Sequence, residues 1–206
     1  MKKATLLIAL PLAFFLSFCS SEKNQDTNQQ EDTFVRGSDI SFIPLIESEG
    51  TLYKHNSIVQ DPLVTLKNAG CNTVRIRLWK NPTVNQSTFE EVKTLAQRAK
   101  QMGFKIWLSV HYSDTWADPG TQTIPAVWEN LSFENLKIAA NNYTSTILTE
   151  INPDIIQIGN EINSGFMWPK GHLITNQSQC LQLLSGISTT IRNHSPNTKI
   201  MLHSPC

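Results

Sequence analysis

The chain has 206 residues, 17 basic and 17 acidic side chains, and 40% hydrophobic residues. That is enough to bury one sizeable core. A balanced charge with no basic run after Lys2-Lys3 offers no footprint for nucleic acid.

Met1-Lys2-Lys3 is a short basic start, and Ala4 to Phe18 is an almost unbroken apolar run. A membrane span needs about 20 apolar residues, so this shorter run reads as the core of an export signal over residues 1–19. It ends at Leu16-Ser17-Phe18-Cys19, similar to a bacterial lipobox in which Cys19 is freed and lipidated. Phe18 departs from that pattern, where a small residue is usual. The alternative is a secreted protein whose Cys19 leaves with the signal. Ser20 to Asp32 holds no apolar residue and reads as a disordered polar tether over residues 20–33. Cys71, Cys180 and Cys206 match no metal-ligand spacing and imply no disulfide framework. Cys71 and Cys180 are expected as small core residues.

From Phe34 onward, strand and helix patterns alternate. Strands are predicted at Phe34–Ile40, Thr73–Trp79, Lys105–Tyr112, Ile155–Asn160 and Lys199–His203. Helices are predicted at Asp61–Ala69 (ending at Gly70), Ser87–Met102 (capping box Thr88 and Glu91, stop at Gly103), Ser132–Glu150 (cap Ser132) and Gln177–His194. Such alternation argues for parallel βαβ units. Within the strands, Val74, Ile76 and Leu78 oppose Arg75, Arg77 and Trp79. Ile106, Leu108 and Val110 oppose Trp107, Ser109 and His111. Ile156 and Ile158 oppose Gln157, Gly159 and Glu161, and Ile200 and Leu202 oppose Met201 and His203. A doubly wound sheet would show continuous apolar runs, and no GxGxxG or P-loop follows the first strand. One apolar and one polar face suits an α/β fold of the (β/α)₈ TIM-barrel type, with chemistry at the C-terminal strand ends. A full barrel takes about 250 residues, so residues 34–206 are read as its N-terminal part, with about the first five strands. Unpaired edges at strands one and five predict self-pairing or aggregation.

Asp39, Arg77, His111, Glu161 and His203 fall at or near successive strand ends and are predicted to converge. A carboxylic acid beside an amide at a barrel top suits acid catalysis on a sugar, where one carboxyl protonates the leaving oxygen and another attacks the anomeric carbon. Asn160 is suited to hold a sugar 2-hydroxyl. Arg77, in preference to Arg75, is read as a buried partner able to orient the attacking carboxylate and lower its pKa. His111 is expected to line the cleft. Asp114 and Trp116 lie just past strand three, where loops bind substrate, and each could equally shape its loop. Trp168 could stack on a sugar or pack its loop. Trp128 is expected to anchor a helix start, and Asp118 and Asp39 to serve as loop or barrel hydrogen-bonding residues.

Phe34-Val-Arg-Gly-Ser-Asp-Ile-Ser41, Val74-Arg-Ile-Arg-Leu-Trp79, His111-Tyr-Ser-Asp-Thr-Trp-Ala-Asp-Pro-Gly120, Trp128-Glu-Asn-Leu-Ser-Phe133 and Gln157-Ile-Gly-Asn-Glu-Ile162 together resemble glycoside hydrolase family 53, the arabinogalactan endo-β-1,4-galactanases. The resemblance runs in order from Phe34 to His203, and the His111–Gly120 segment is its most specific part. It implies that Glu161 is the general acid/base and Asn160 its neighbour at the 2-hydroxyl. It implies galactan or arabinogalactan as the partner, and a second glutamate, the nucleophile, at the end of strand seven. No residue in the five strands can be assigned that role. No cofactor or metal site is evident in this half. Two rival expectations are kept: another retaining barrel endoglycanase, such as a mannanase or cellulase, and an inactive or sugar-binding truncated lipoprotein. The expected location is outside the cytoplasm, anchored to a membrane through lipid or secreted.

Overall fold

The computed structural model describes residues 34–204. The expected signal, Cys19, the polar tether and Cys206 lie outside the described residues.

Five parallel strands form one sheet: β1 (Gly37–Asp39), β4 (Thr73–Leu78), β5 (Lys105–Val110), β6 (Ile155–Ile158) and β7 (Lys199–Met201), in the order β1-β4-β5-β6-β7. Between β1 and β4 the chain makes helix α1 (Ile43–Ser48), a two-stranded hairpin of β2 (Lys54–His55) and β3 (Ile58–Val59), and helix α2 (Pro62–Asn68). Helices α3 (Phe89–Gln101), α4 (Phe133–Glu150) and α5 (Gln177–His194) fill the later crossovers. Strand order therefore follows chain order with no reversal. A doubly wound sheet reverses its order at a switch point, so the pattern is that of a barrel wall. β1 and β7 stand at the two edges of the sheet.

Each long helix forms where the sequence supplies a start, a stripe and a stop. Asp61 accepts a bond from Leu63 N (2.7 Å) ahead of α2, and Ser132 accepts from Asn135 N (3.3 Å) ahead of α4. Thr88 accepts from Glu91 N (3.3 Å) ahead of α3, but the Glu91 carboxylate returns to Ser87 N (2.8 Å) instead of Thr88 N. The capping box is thus closed one residue early. α3 buries Val92, Leu95, Ala96 and Ala99, and α5 buries Cys180, Leu183, Ile187 and Ile191, spacings that keep one helical face inward.

Those stripes pack on the outward face of the sheet. Val74, Ile76, Leu78, Ile106, Leu108, Val110, Ile156 and Ile158 are all at most 1% exposed. Strand five departs from the expected alternation: Ile200 is half-buried and Leu202 is exposed. No helix among the described residues follows β7 to cover them. Cys180 is buried, Cys71 is half-buried against the core, and both are free thiols.

The predicted strands are longer than those observed at both ends of the sheet. Phe34 and Val35 are exposed and precede β1. The fourth strand stops at Ile158 because Gly159 turns to φ +73. A Cβ there would collide with the Ile162 side chain, so only glycine makes this turn. Helix α1, the β2–β3 hairpin and the short 3₁₀ turn Ala126–Trp128 are elements that the sequence pattern did not predict. Trp128, at the end of that turn, is buried against Tyr143 of α4 (ring centroids 5.9 Å), as expected of a helix anchor.

Candidate active site

The polar face of the sheet is held by one hydrogen-bonded chain running from β1 to β7. Arg75 on β4 pairs with Asp39 on β1 (Nη1 to Oδ2, 2.6 Å). Its Nη2 donates to Ser109 Oγ on β5 (2.9 Å) and to Asn160 Oδ1 beyond β6 (3.0 Å). Gln157 Nε2 also donates to Asn160 Oδ1 (3.2 Å), and His203 Nδ1 lies 3.2 Å from the same oxygen. Asn160 Nδ2 donates to Ala117 O (2.8 Å), and the residue is 2% exposed. Burial works to raise the Asp39 carboxyl, but hydrogen bonds from Ser41 and the Arg75 charge outweigh it and hold it below the ordinary carboxylate value.

Glu161 comes next, in a left-handed backbone (φ +51) that a residue with a Cβ seldom adopts. It is half-buried, and no described residue donates a hydrogen bond to its carboxylate. Asn160 is therefore fixed in one orientation, while the neighbouring carboxyl is left uncommitted at the end of β6.

His111, at the end of β5, is 1% exposed. Its Nδ1 accepts from Ala117 N (3.0 Å), which makes Nε2 the protonated nitrogen of the neutral ring. Burial first, then the charges of Arg75 and Arg77, push this imidazole down to about 3. His111 Nε2 and Trp79 Nε1 are buried donors without a protein partner among the described residues. The His111 ring meets Trp79 and Trp116 edge-on (centroids 6.4 and 5.5 Å). Arg77 is buried among Phe42, Trp79 and Trp116, with its guanidinium carbon 4.8, 4.8 and 5.2 Å from the ring centres. Its Nε donates to Ser87 Oγ (3.1 Å), and it has no ion-pair partner among the described residues. Burial lowers its pKa, with Asp39 opposing. The arginine that reaches Asn160 is Arg75; the reading of Arg77 as the partner of the attacking carboxylate concerns a group outside the described residues.

The remaining predicted residues divide. Both Asp114 oxygens accept main-chain bonds, from Asn81 N and Ala126 N (2.9 Å each), so this side chain braces two loops. Asp118 Oδ1 similarly takes Gly120 N (2.8 Å). Trp116 is 43% exposed and offers a free aromatic surface beside His111 and Arg77. Trp168 donates from its indole to Ser164 O (3.1 Å) and lies 4.8 Å from the His172 ring. With Ser113, Asp114, Thr123, Glu129 and Lys170 it lines a cleft of about 520 Å³. Gln122, which the sequence reading passed over, is 1% exposed and sits against the main chain of Asn160 and Glu161. Nothing in composition or periodicity marks such a loop residue. Among the described residues no group of three metal-ligating side chains is placed to hold an ion.

A parallel wall wound in chain order, with its ionisable groups at the C-terminal strand ends, places the chain among the (β/α)₈-barrel proteins. Residues 35–205 match glycosyl hydrolase family 53, and the chain belongs to that family. It is 38% identical to an arabinogalactan endo-β-1,4-galactanase of Thermothelomyces thermophilus over 176 residues, 82% of this chain and 52% of that protein. It is 33% identical to an endo-β-1,4-galactanase of Bacillus subtilis over 184 residues, 82% of this chain and 42% of that protein. Among solved structures it superposes on a family 53 catalytic domain from Ignisphaera aggregans with a TM-score of 0.79 and 37% identity, over 83% of this chain and 51% of that one. A fungal β-1,4-galactanase structure gives 0.77 and 37%, over 82% and 53%. The chain spans about half the length of these relatives.

Proposed function

We propose that this chain carries the acid/base part of a retaining endo-β-1,4-galactanase, with galactan or type I arabinogalactan as its substrate. The observation that carries the reading is the contrast at the end of β6: an Asn160 amide held in one orientation by four partners beside a Glu161 carboxyl with no partner among the described residues. The Asn160 nitrogen has two hydrogens and spends one on Ala117 O. The other is available to a sugar 2-hydroxyl, a contact that strengthens as the oxocarbenium-like transition state forms.

In the first step Glu161 gives its proton to the glycosidic oxygen while a carboxylate attacks the anomeric carbon. The C–O bond breaks, and a glycosyl-enzyme ester forms. In the second step the Glu161 carboxylate takes a proton from water, whose oxygen displaces the enzyme carboxylate. Retention requires the two carboxyls about 5–5.5 Å apart. Among the described residues Glu161 is the one glutamate at a strand end, and Asp39 is committed to Arg75. The nucleophile in this reading is supplied from outside the described residues.

The exposed ring of Trp116, edge-on to the buried neutral His111, supports a sugar-binding role for this loop in the same reading. The cleft of about 520 Å³ at Trp168 supports further sugar contacts in this reading. Substrate choice is tested by reducing-sugar release from β-1,4-galactan, β-1,4-mannan and carboxymethylcellulose. Release confined to galactan supports the reading, and a preference for either other polymer replaces it. A binding-only role is the alternative to this reading. It predicts galactan retention on affinity gels with no release of reducing ends.

The leader sequence supports export, and Leu16-Ser17-Phe18-Cys19 supports lipid attachment at Cys19. Labelled palmitate should enter the expressed protein and be lost in Cys19→Ser. Label-free secreted protein points to simple signal cleavage instead.

A further inference from the structure

The Asn160–Glu161 turn needs something to hold it. The β5–β6 ladder ends at Ile158, with Gly159 N donating to Val110 O (2.8 Å) as its last bond. The carbonyls of Asn160 and Glu161 then leave the sheet, and no backbone N–H among the described residues donates to either. Glu161 is at φ +51, a conformation that persists only where its surroundings fix it.

Gln122 supplies what the ladder does not. Its Nε2 donates to Asn160 O (2.7 Å) and Glu161 O (3.2 Å), and also lies 3.0 Å from Asp118 O. Three carbonyls around one nitrogen set the amide orientation, because the flipped group would press oxygen against oxygen. The main-chain carbonyl of Gln122 accepts from Trp168 N (2.7 Å), so the same residue also ties down the loop on the far side of Glu161, while its side-chain Oε1 is buried without a partner among the described residues. The segment bearing Gln122 is itself braced, through Ala117 N on His111 and through Asp114 on Asn81 N and Ala126 N.

We propose that Gln122 is a positioning residue for Glu161: its buried carboxamide grips the two carbonyls and fixes the left-handed backbone from which the carboxyl is aimed. The proposal rests on the reading of Glu161 as the acid. A general acid must lie within hydrogen-bond reach of the leaving oxygen, and a misplacement of about 1 Å can cost about 100-fold in rate. Gln122 touches no reacting atom and acts only through this turn.

The test is direct and does not need turnover. Glu161 Cα and amide signals, whose shifts and coupling report the sign of φ, are followed by NMR in the protein, in Gln122→Met and in Gln122→Glu. The Met variant keeps length and loses both donors. It should lose the left-handed signature at Glu161 and, where galactan is cleaved, drop kcat by about 10- to 100-fold with KM little changed. The Glu variant should retain the signature at pH 4, below the ordinary glutamate value, where a protonated carboxyl still donates, and lose it at pH 9. A lowered melting temperature with the Glu161 signals unmoved would mean that Gln122 only fills space, and would overturn the proposal. Should the Met variant fail to fold, the Glu variant decides: signals that do not change between pH 4 and pH 9 overturn it. Failure of the acid reading shows up separately, as undiminished activity in Glu161→Gln, and leaves the NMR result standing.

Discussion

The two faces of the five-stranded sheet do different work with the same backbone. Outward, Ile76, Ile106, Leu108, Ile156 and Ile158 are shielded from water within one apolar cluster. Inward, Asp39, Arg75, Ser109, Gln157 and Asn160 are joined by hydrogen bonds that cross four strands. Removing water from an aliphatic side chain is favourable without regard to direction. A buried amide or guanidinium contributes only when its partners stand at the right distance and angle. The outward face therefore supplies stability, and the inward face converts that stability into fixed positions for a few polar atoms.

The comparison can be broken first on the outward side. Leu108→Ala leaves a cavity in a fully buried site and should lower unfolding free energy by about 2–5 kcal/mol in a denaturant titration. An effect below about 1 kcal/mol would mean that the helix layer can close over the gap.

A pH titration of stability addresses the next largest effect. Folded His111 stays neutral down to about 3, whereas an unfolded histidine takes its proton near 6.5. Between these values the unfolded state binds more protons, so stability falls as pH drops from about 6.5 to about 3 and levels off below. His111→Gln should make that slope shallower by about 1.4 kcal/mol per pH unit. An unchanged slope would show that the imidazole becomes protonated inside the fold.

Arg75→Met sharpens the division between stability and position. Its Asp39 pair is partly exposed, so the expected loss of stability is only about 1 kcal/mol. Affinity for β-1,4-galactotetraose, measured by calorimetry, should fall further than that because Asn160 loses its cross-sheet anchor. Arg77→Met, which does not touch Asn160, should leave the Asn160 side-chain NMR signals in place. Trp116→Ala is the mildest change, within about 0.5 kcal/mol in stability for a surface position. It should still weaken galactotetraose binding.

What the sequence made legible follows the same division. Strands β4 to β6 and helices α2 to α5 were readable because burial imposes a period on residues such as Val74, Ile76 and Leu78, or Leu183, Ile187 and Ile191. Asp61, Thr88 and Ser132 marked their starts. Helix α1 escaped because its six residues carry no periodic stripe, and its N-cap Phe42 makes no side-chain bond. The hairpin strands, two residues each and exposed, carry no alternation at all. Of the site, the strand-end positions of Asn160, Glu161, Asp39, His111 and His203 were legible. That Arg75 and not Arg77 reaches Asn160 was not legible, since both lie on the polar face two residues apart. Gln122 was hidden for a different reason. It works through main-chain carbonyls, and a loop glutamine that grips backbone has no sequence signature.

The central claim is that Glu161 is the acid/base of a galactan-cleaving site, and one assay tests it most directly. Reducing-sugar release from β-1,4-galactan is compared between the protein and Glu161→Gln, a near-isosteric change that removes the proton. Release by the protein and a fall of about 100-fold or more in the variant are expected, in line with the loss of a general acid. Equal release by both would contradict it.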